Sequence, residues 1–142
     1  MAADLRAVIS ALKAASDLER IGDLSRNICK RTMALPRTPA MGSAMGTVAR
    51  MGRLVQDMIR DVLDAYIERD VEMASDVWKR DQEVDLLHTS LFRELLTYMM
   101  EDPRNITACT PLLFIAKNIE SMGDHVTHIA RSIPLAVLGC SP

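Results

Sequence analysis

The sequence predicts an all-α protein in which an antiparallel three-helix bundle follows one extra long helix. Gly and Pro number six each among 142 residues, too few for an all-β chain that turns often. Apolar residues make up 49% of the chain and charged residues 25%, which excludes a disordered segment and allows one packed core. In three long segments the apolar residues recur every three or four positions, which is typical of helices that bury one face.

The first predicted helix covers residues 1–34, where Gly22 is the only Gly or Pro and Ala, Leu, Arg and Lys are frequent. A linker is predicted at residues 35–43, within "LPRTPAMGSAMG", where two prolines and two glycines stand among twelve residues. The first helix has no partner helix beside it in the sequence. It must therefore pack on the bundle, pack on another chain, or remain partly exposed.

Residues 44–134 are predicted to form the bundle, and residues 135–142 a tail. The apolar stripe of its first helix comprises Val48, Met51, Val55, Met58, Val62 and Ala65. The next helix follows Asp70, and its stripe comprises Ala74, Val77, Val84, Leu87, Leu91, Leu95 and Tyr98. The stripe of the last helix comprises Leu112, Ile115, Ile119, Met122, Val126, Ile129 and Ile133. Short connections between these helices predict an up-down-up arrangement.

The start of the last helix has two interpretations. Asn105 can be its N-cap, with Pro111 inside the helix, or Thr110 can cap a later start that places Pro111 in the first turn. We prefer the longer helix.

Composition and motifs exclude several functions. The net charge of −2 and the lack of a dense Lys/Arg cluster argue against binding to nucleic acid or insertion into an anionic membrane. No apolar run approaches the length of a bilayer span and the N-terminus does not resemble a signal peptide, so a cytoplasmic protein is predicted. Cys29, Cys109 and Cys140 form no CxxC pair and are predicted to be reduced thiols, mostly packed as small apolar residues. No nucleophile with an adjacent base and no glycine-rich phosphate loop is visible, so no enzyme is predicted.

Three helices have pairs of carboxylates spaced i,i+4, which places the two members on the same helix face. The pairs are Glu19 with Asp23, Asp81 with Asp85, and Glu120 with Asp124. His88 and His128 extend two of these acidic lines. Such pairs are common on solvated faces, but carboxylates gathered from neighbouring helices also suit iron, manganese, magnesium, calcium or, with histidine, zinc.

The first and last pairs lie in two similar stretches, "DLERIGDLSRNICKR" and "NIESMGDHVTHIAR". In both, a glycine, Gly22 or Gly123, precedes the second carboxylate. A glycine inside a helix costs about 1 kcal/mol relative to Ala, so its repetition indicates close approach of a ligand or of another helix.

These stretches, together with "ERDVEMASDVWKRDQEVD" and "DPRNIT", resemble the PhoU family over nearly the whole chain. The resemblance implies two similar three-helix bundles, of which this chain lacks about two helices ahead of Met1. It also implies E(D)xxxD motifs that bind iron or zinc at Asp81, Asp85, Glu120, Asp124, Glu19 and Asp23. The site that contains Glu19 and Asp23 is expected to be incomplete.

The resemblance further implies a negative regulator of phosphate uptake and of the phosphate-starvation response. The implied partners are a PhoR-type histidine kinase and the ATPase of the Pst phosphate transporter. The unpaired first helix predicts a homo-oligomer, such as a dimer, formed through that helix. Two other functions remain open: a carboxylate-bridged helical-bundle metalloenzyme and a metal-free helical adaptor.

Overall fold

A computed structural model describes residues 2–36 and 41–139. It contains four long helices: α1 (Ala2–Met33), α2 (Gly42–Glu68), α3 (Val71–Glu101) and α4 (Ile106–Leu138). A short 3₁₀ turn at Pro103–Asn105 precedes α4. The part of the chain that the structure describes contains no strand, and the all-α prediction is confirmed.

Helices α2, α3 and α4 each pack against the other two and form the predicted bundle. The apolar stripes supply its core: every residue predicted on α4 is buried, and on α2 and α3 only Val48, Leu87 and Tyr98 are partly exposed. Between α2 and α3 the chain reverses at Arg69, which has φ 56°. The Asp70 carboxylate then accepts a hydrogen bond from the Met73 backbone N–H at 3.1 Å and caps α3.

The longer of the two starts considered for α4 is the one observed, because the helix begins at Ile106 and contains Pro111. Asn105 occupies the N-cap position, but its side chain does not cap α4. Instead its amide nitrogen donates a hydrogen bond to the Tyr98 carbonyl oxygen at 3.0 Å, which fastens the turn to the end of α3.

The predicted tail at residues 135–142 is wrong in its first part, because α4 continues through Pro134 to Leu138. A proline inside a helix removes one backbone hydrogen bond. Ile133 and Pro134 are buried, so their packing offsets that loss. Gly139 caps the end of the helix, because its φ of 72° suits glycine and its N–H donates to the Leu135 carbonyl oxygen at 3.0 Å.

Helix α1 packs along α4, which answers where the first helix finds a partner. Its inner face buries Ser10, Ala14 and Ile21. Its outer face still exposes Leu5 and Leu12, each by more than half. Packing on the bundle and partial exposure therefore both occur.

None of the helices in residues 2–36 and 41–139 combines the length and apolar character needed to cross a bilayer. Cys109 is a buried free thiol whose Sγ lies 3.4 Å from the Met41 Sδ, and burial raises the pKa of this thiol. Cys29 is also a free thiol but is exposed on α1, contrary to the expectation of packing. Cys140 lies outside the described residues.

Candidate metal centre

A cluster of three carboxylates lies between α3 and α4. Asp81 and Asp85 are one turn apart on α3, and Asp124 faces them from α4. One carboxylate oxygen from each residue lies within 4.8 Å of the others. Val84, next to Asp85 on α3, and Val126, two residues after Asp124 on α4, are fully buried, so the cluster borders the core.

Gly123 allows this close approach. A Cβ atom placed on Gly123 would stand 2.7 Å from Asp81 Oδ1, nearer than real Cβ atoms approach an oxygen. The expected close contact is therefore present at the second copy of the repeated stretch. At the first copy it is not, since a Cβ on Gly22 would meet nothing within 4 Å among the described residues.

The cluster disfavours its own negative charge. Burial, followed by the charges of Asp85 and Asp124, raises the pKa of Asp81 from 3.8 to about 6. A hydrogen bond from the Thr127 side chain to Asp81 would act in the opposite direction. The single hydroxyl hydrogen of Thr127 is, however, donated to the Gly123 carbonyl oxygen at 2.9 Å, and Asp81 Oδ1 is buried without a hydrogen-bond partner among the described residues. A cation bound there would supply the missing partner and offset the repulsion.

Burial, followed by the charge of Glu120, also raises the pKa of Asp85 and of Asp124. Glu120 itself is not part of the three-residue cluster. Its carboxylate accepts a hydrogen bond from Lys117 Nζ at 2.7 Å, one turn earlier on α4. Of the four residues predicted for this site, Asp81, Asp85 and Asp124 therefore meet. Glu120 lies beside them and forms an ion pair with Lys117.

The remaining predicted pair, Glu19 and Asp23, lies on α1, where both residues are exposed. Neither belongs to a group of three potential ligands in the described part of the chain. His88 is near enough to Asp85 for its charge to lower the pKa of that carboxyl group. His88 therefore lies at the edge of the cluster.

A second group of potential ligands was missed from the sequence. Asp17 on α1 meets His125 and His128 on α4. Asp17 Oδ1 lies 2.9 Å from His125 Nδ1 and 3.3 Å from His128 Nδ1. The i,i+3 spacing of the histidines was a visible signal, but no pattern in the sequence links Asp17 to them.

Four long helices with carboxylates gathered between two of them define a helical-bundle protein with an oxygen-rich surface cluster. A family model described as "PhoU domain" matches residues 1–32 and 48–133. The chain belongs to the PhoU family.

Two curated relatives are named phosphate-specific transport system accessory protein PhoU homolog. The relative from Caulobacter vibrioides is 51% identical over 139 residues, which cover 98% of this chain and 60% of the relative. The relative from Rhizobium meliloti is 48% identical over 147 residues, covering 100% of this chain and 60% of the relative. The chain thus spans about 60% of the length of these relatives.

Two solved structures share the fold. PhoU from Pseudomonas aeruginosa superposes with a TM-score of 0.91 at 36% identity, covering 99% of this chain and 67% of that chain. The phosphate transport system regulatory protein PhoU from Streptococcus pneumoniae gives a TM-score of 0.87 at 26% identity, covering 99% and 66%.

Proposed function

We propose that the chain is a regulator of phosphate uptake that acts through protein contacts. Its partners in this proposal are the ATPase of a Pst-type phosphate transporter and a PhoR-type histidine kinase, and its effect is to repress the phosphate-starvation response. The supporting observation is the 51% identity to a phosphate-transport accessory protein across 98% of the chain. A protein of this kind works by binding rather than by catalysis, and its surface is where it acts.

The metal site belongs to the same proposal. Asp81, Asp85 and Asp124 offer only oxygen atoms, the donor set that hard cations prefer, so of the two metals implied by the family, iron suits the cluster better than zinc. The buried, unpartnered Asp81 Oδ1 is the observation that supports a bound cation. Glu120 becomes a fourth ligand if its carboxylate leaves Lys117. Metal binding at Glu19 and Asp23 remains a prediction that has no third ligand in the described residues.

A cation held by both helices would clamp α3 to α4 and fix the shape of the surface that they share. This role requires no redox change and no open position for substrate. It therefore differs from that of a carboxylate-bridged metalloenzyme, which would turn over a substrate, and from that of an adaptor, which would contain no metal.

The test uses the purified chain and an Asp81→Asn/Asp85→Asn/Asp124→Asn variant, with Asp76→Asn as the control on the exposed side of α3. We expect elemental analysis to find iron in the wild-type and control proteins and not in the triple variant. Iron that survives the triple substitution would overturn the site, whereas zinc at other residues would not bear on it.

Partner binding is measured separately, by co-purification with the transporter ATPase and with the kinase, and by a phosphate-starvation reporter in a strain that lacks its own regulator. We expect capture of a partner and repression of the reporter. If a full-length relative does both and this chain does neither, the regulatory proposal fails. Equal partner binding by the triple variant would instead favour the metal-free adaptor.

Homo-oligomerisation is proposed through the exposed outer face of α1, where Leu5 and Leu12 are the most exposed large apolar side chains near its start. Burying such a face against a second copy would be favourable. Mass-resolved light scattering tests this proposal on the wild-type chain and on Leu12→Glu. We expect an oligomer for the wild-type chain and a monomer for Leu12→Glu, and a wild-type monomer would contradict the proposal.

A further inference from the structure

Asp17, His125 and His128 bring one carboxylate and two imidazoles together across the contact between α1 and α4. The Asp17 and His125 side chains are largely buried, with 15% and 21% of their surface exposed. The His128 side chain is 56% exposed. The two imidazole rings meet edge to face, with centroids 5.4 Å apart and planes at 85°. Two imidazole nitrogens thus converge on one carboxylate oxygen, beside an opening to solvent.

These distances match the spacing of ligands around a small cation. In a tetrahedral zinc site, bonds of about 2.0–2.1 Å place neighbouring ligand atoms about 3.3 Å apart. Asp17 Oδ1 stands 2.9 and 3.3 Å from the two Nδ1 atoms, and one ligand atom from each residue lies within 4.8 Å of the others.

We propose that Asp17, His125 and His128 form a zinc-type metal site that ties α1 to the bundle. Its nitrogen donors distinguish it from the all-oxygen cluster between α3 and α4, because imidazole suits zinc and similar transition metals better than carboxylate does. Three protein ligands leave a fourth position, which faces solvent beside the exposed His128. A water molecule or a side chain of a partner protein can occupy that position.

The arrangement of α4 keeps the two sites separate. Asp124 and His125 are consecutive, so their side chains leave the helix about 100° apart. Asp124 faces Asp81 on α3, whereas His125 faces Asp17 on α1. One short stretch of α4 can therefore hold a hard cation on one side and a borderline cation on the other.

Nearby positive charge limits the affinity of the site without removing it. Lys13 and Arg131 line the same surface depression as Asp17 and His128. The Arg131 guanidinium lies over the Trp78 ring at 5.4 Å, so its charge is held towards α3. Lys13 is the cation that would oppose metal binding, and Lys13→Gln is expected to tighten it.

The alternative state of the same residues is metal-free, with both imidazoles donating hydrogen bonds to Asp17 Oδ1. It also ties α1 to α4. The experiment must therefore detect the metal itself.

The test uses the whole chain with Asp81→Asn/Asp85→Asn/Asp124→Asn as background, so that the oxygen cluster cannot bind the probe. Zn²⁺ binding is measured by calorimetry, and Co²⁺ is added as a spectroscopic probe of the ligand geometry. We expect one equivalent of Zn²⁺, visible Co²⁺ bands of a four-coordinate site, and a higher melting temperature with Zn²⁺ because the ion binds the folded state. His128→Asn and Asp17→Asn should each weaken binding at least tenfold, and His88→Asn is the control that should not.

His128 is mostly exposed, so its substitution does not threaten folding, and circular dichroism verifies this. Absence of Zn²⁺ binding in the folded background variant would overturn the proposal and leave the hydrogen-bonded cluster. Binding that survives both His128→Asn and Asp17→Asn would also overturn it. Neither result affects the regulatory proposal, which is tested by partner capture.

Discussion

Substituting alanine at Gly22 and at Gly123 compares the same change at matched positions of the repeated stretch. Both glycines lie inside long helices. Replacing a glycine inside a helix by alanine stabilises a protein by about 0.5–1 kcal/mol when the new methyl group has room. A Cβ on Gly22 meets nothing within 4 Å in the described part of the chain, so the full gain is expected there.

At Gly123 the new methyl group would meet the carboxylate cluster. It would stand 2.7 Å from Asp81 Oδ1, whereas carbon and oxygen normally approach to about 3.3 Å or more. The Val84 and Val55 methyl groups, at 3.7 and 3.9 Å, are in ordinary contact. Asp81 alone must move, and turning a side chain off its preferred rotamer costs about 0.5–1.5 kcal/mol. Gly123→Ala should therefore be less stable than Gly22→Ala by about that amount.

Urea unfolding of both variants at pH 7, in buffer with a chelator, measures this difference as a shift in the midpoint at unchanged slope. A second consequence concerns the cluster: the displaced Asp81 carboxylate becomes more solvated, so its pKa should fall towards the ordinary value. An equal gain in stability at the two positions would show that Asp81 swings aside freely, and would refute the argument that the cluster requires a glycine. Destabilisation by Gly22→Ala would refute the open surroundings of Gly22.

Three further changes test the charge balance, the core and a helix cap. The pKa of Asp81 is raised in the folded protein, so its contribution to stability is fully present below the unfolded pKa of about 3.8 and is lost as pH rises through the folded pKa of about 6. Asp81→Asn removes this charge and should therefore stabilise the metal-free protein at pH 7. The shift in pKa corresponds to about 3 kcal/mol, and solvent screening of a half-exposed carboxylate reduces this to roughly 1 kcal/mol. The stability of the wild-type protein relative to Asp81→Asn should therefore fall between pH 4 and 7. A difference that does not change over this range contradicts the prediction. Leu95 is fully buried, whereas Leu86 is exposed. Substitution by alanine should therefore lower the free energy of unfolding by about 2–5 kcal/mol at Leu95 and by less than about 0.5 kcal/mol at Leu86. Similar urea midpoints for the two variants would contradict the placement of Leu95 in the core. Asp70→Ala should lose about 1 kcal/mol while Asp70→Asn keeps the cap of α3, and equal melting temperatures for the two would argue against capping.

The core could be predicted because helical periodicity is a local property. The residues of each apolar stripe are identified by their spacing along one helix. The face that they form is buried regardless of which helix packs against it. The end of α4 could not be predicted in this way. A tail was predicted from residue 135, but α4 continues past the buried Pro134 to Leu138.

The candidate site was predictable only in part. The i,i+4 spacing placed Asp81 with Asp85, and Glu120 with Asp124, each on one face of a helix. Which carboxylates meet depends on side-chain choices that spacing does not determine, and Glu120 pairs with Lys117 instead of joining the cluster.

The sequence by itself determined the number of helices, the buried faces of α2, α3 and α4, and the family, because each follows from short-range spacing or from a contiguous motif. The tertiary structure decided how α1 lies along α4, and hence that Asp17 meets His125 and His128. It also decided that Gly123 faces a carboxylate while Gly22 faces open space. The physical reason is that contacts between helices depend on their relative rotation and shift, which are set by the packing of all the side chains between them.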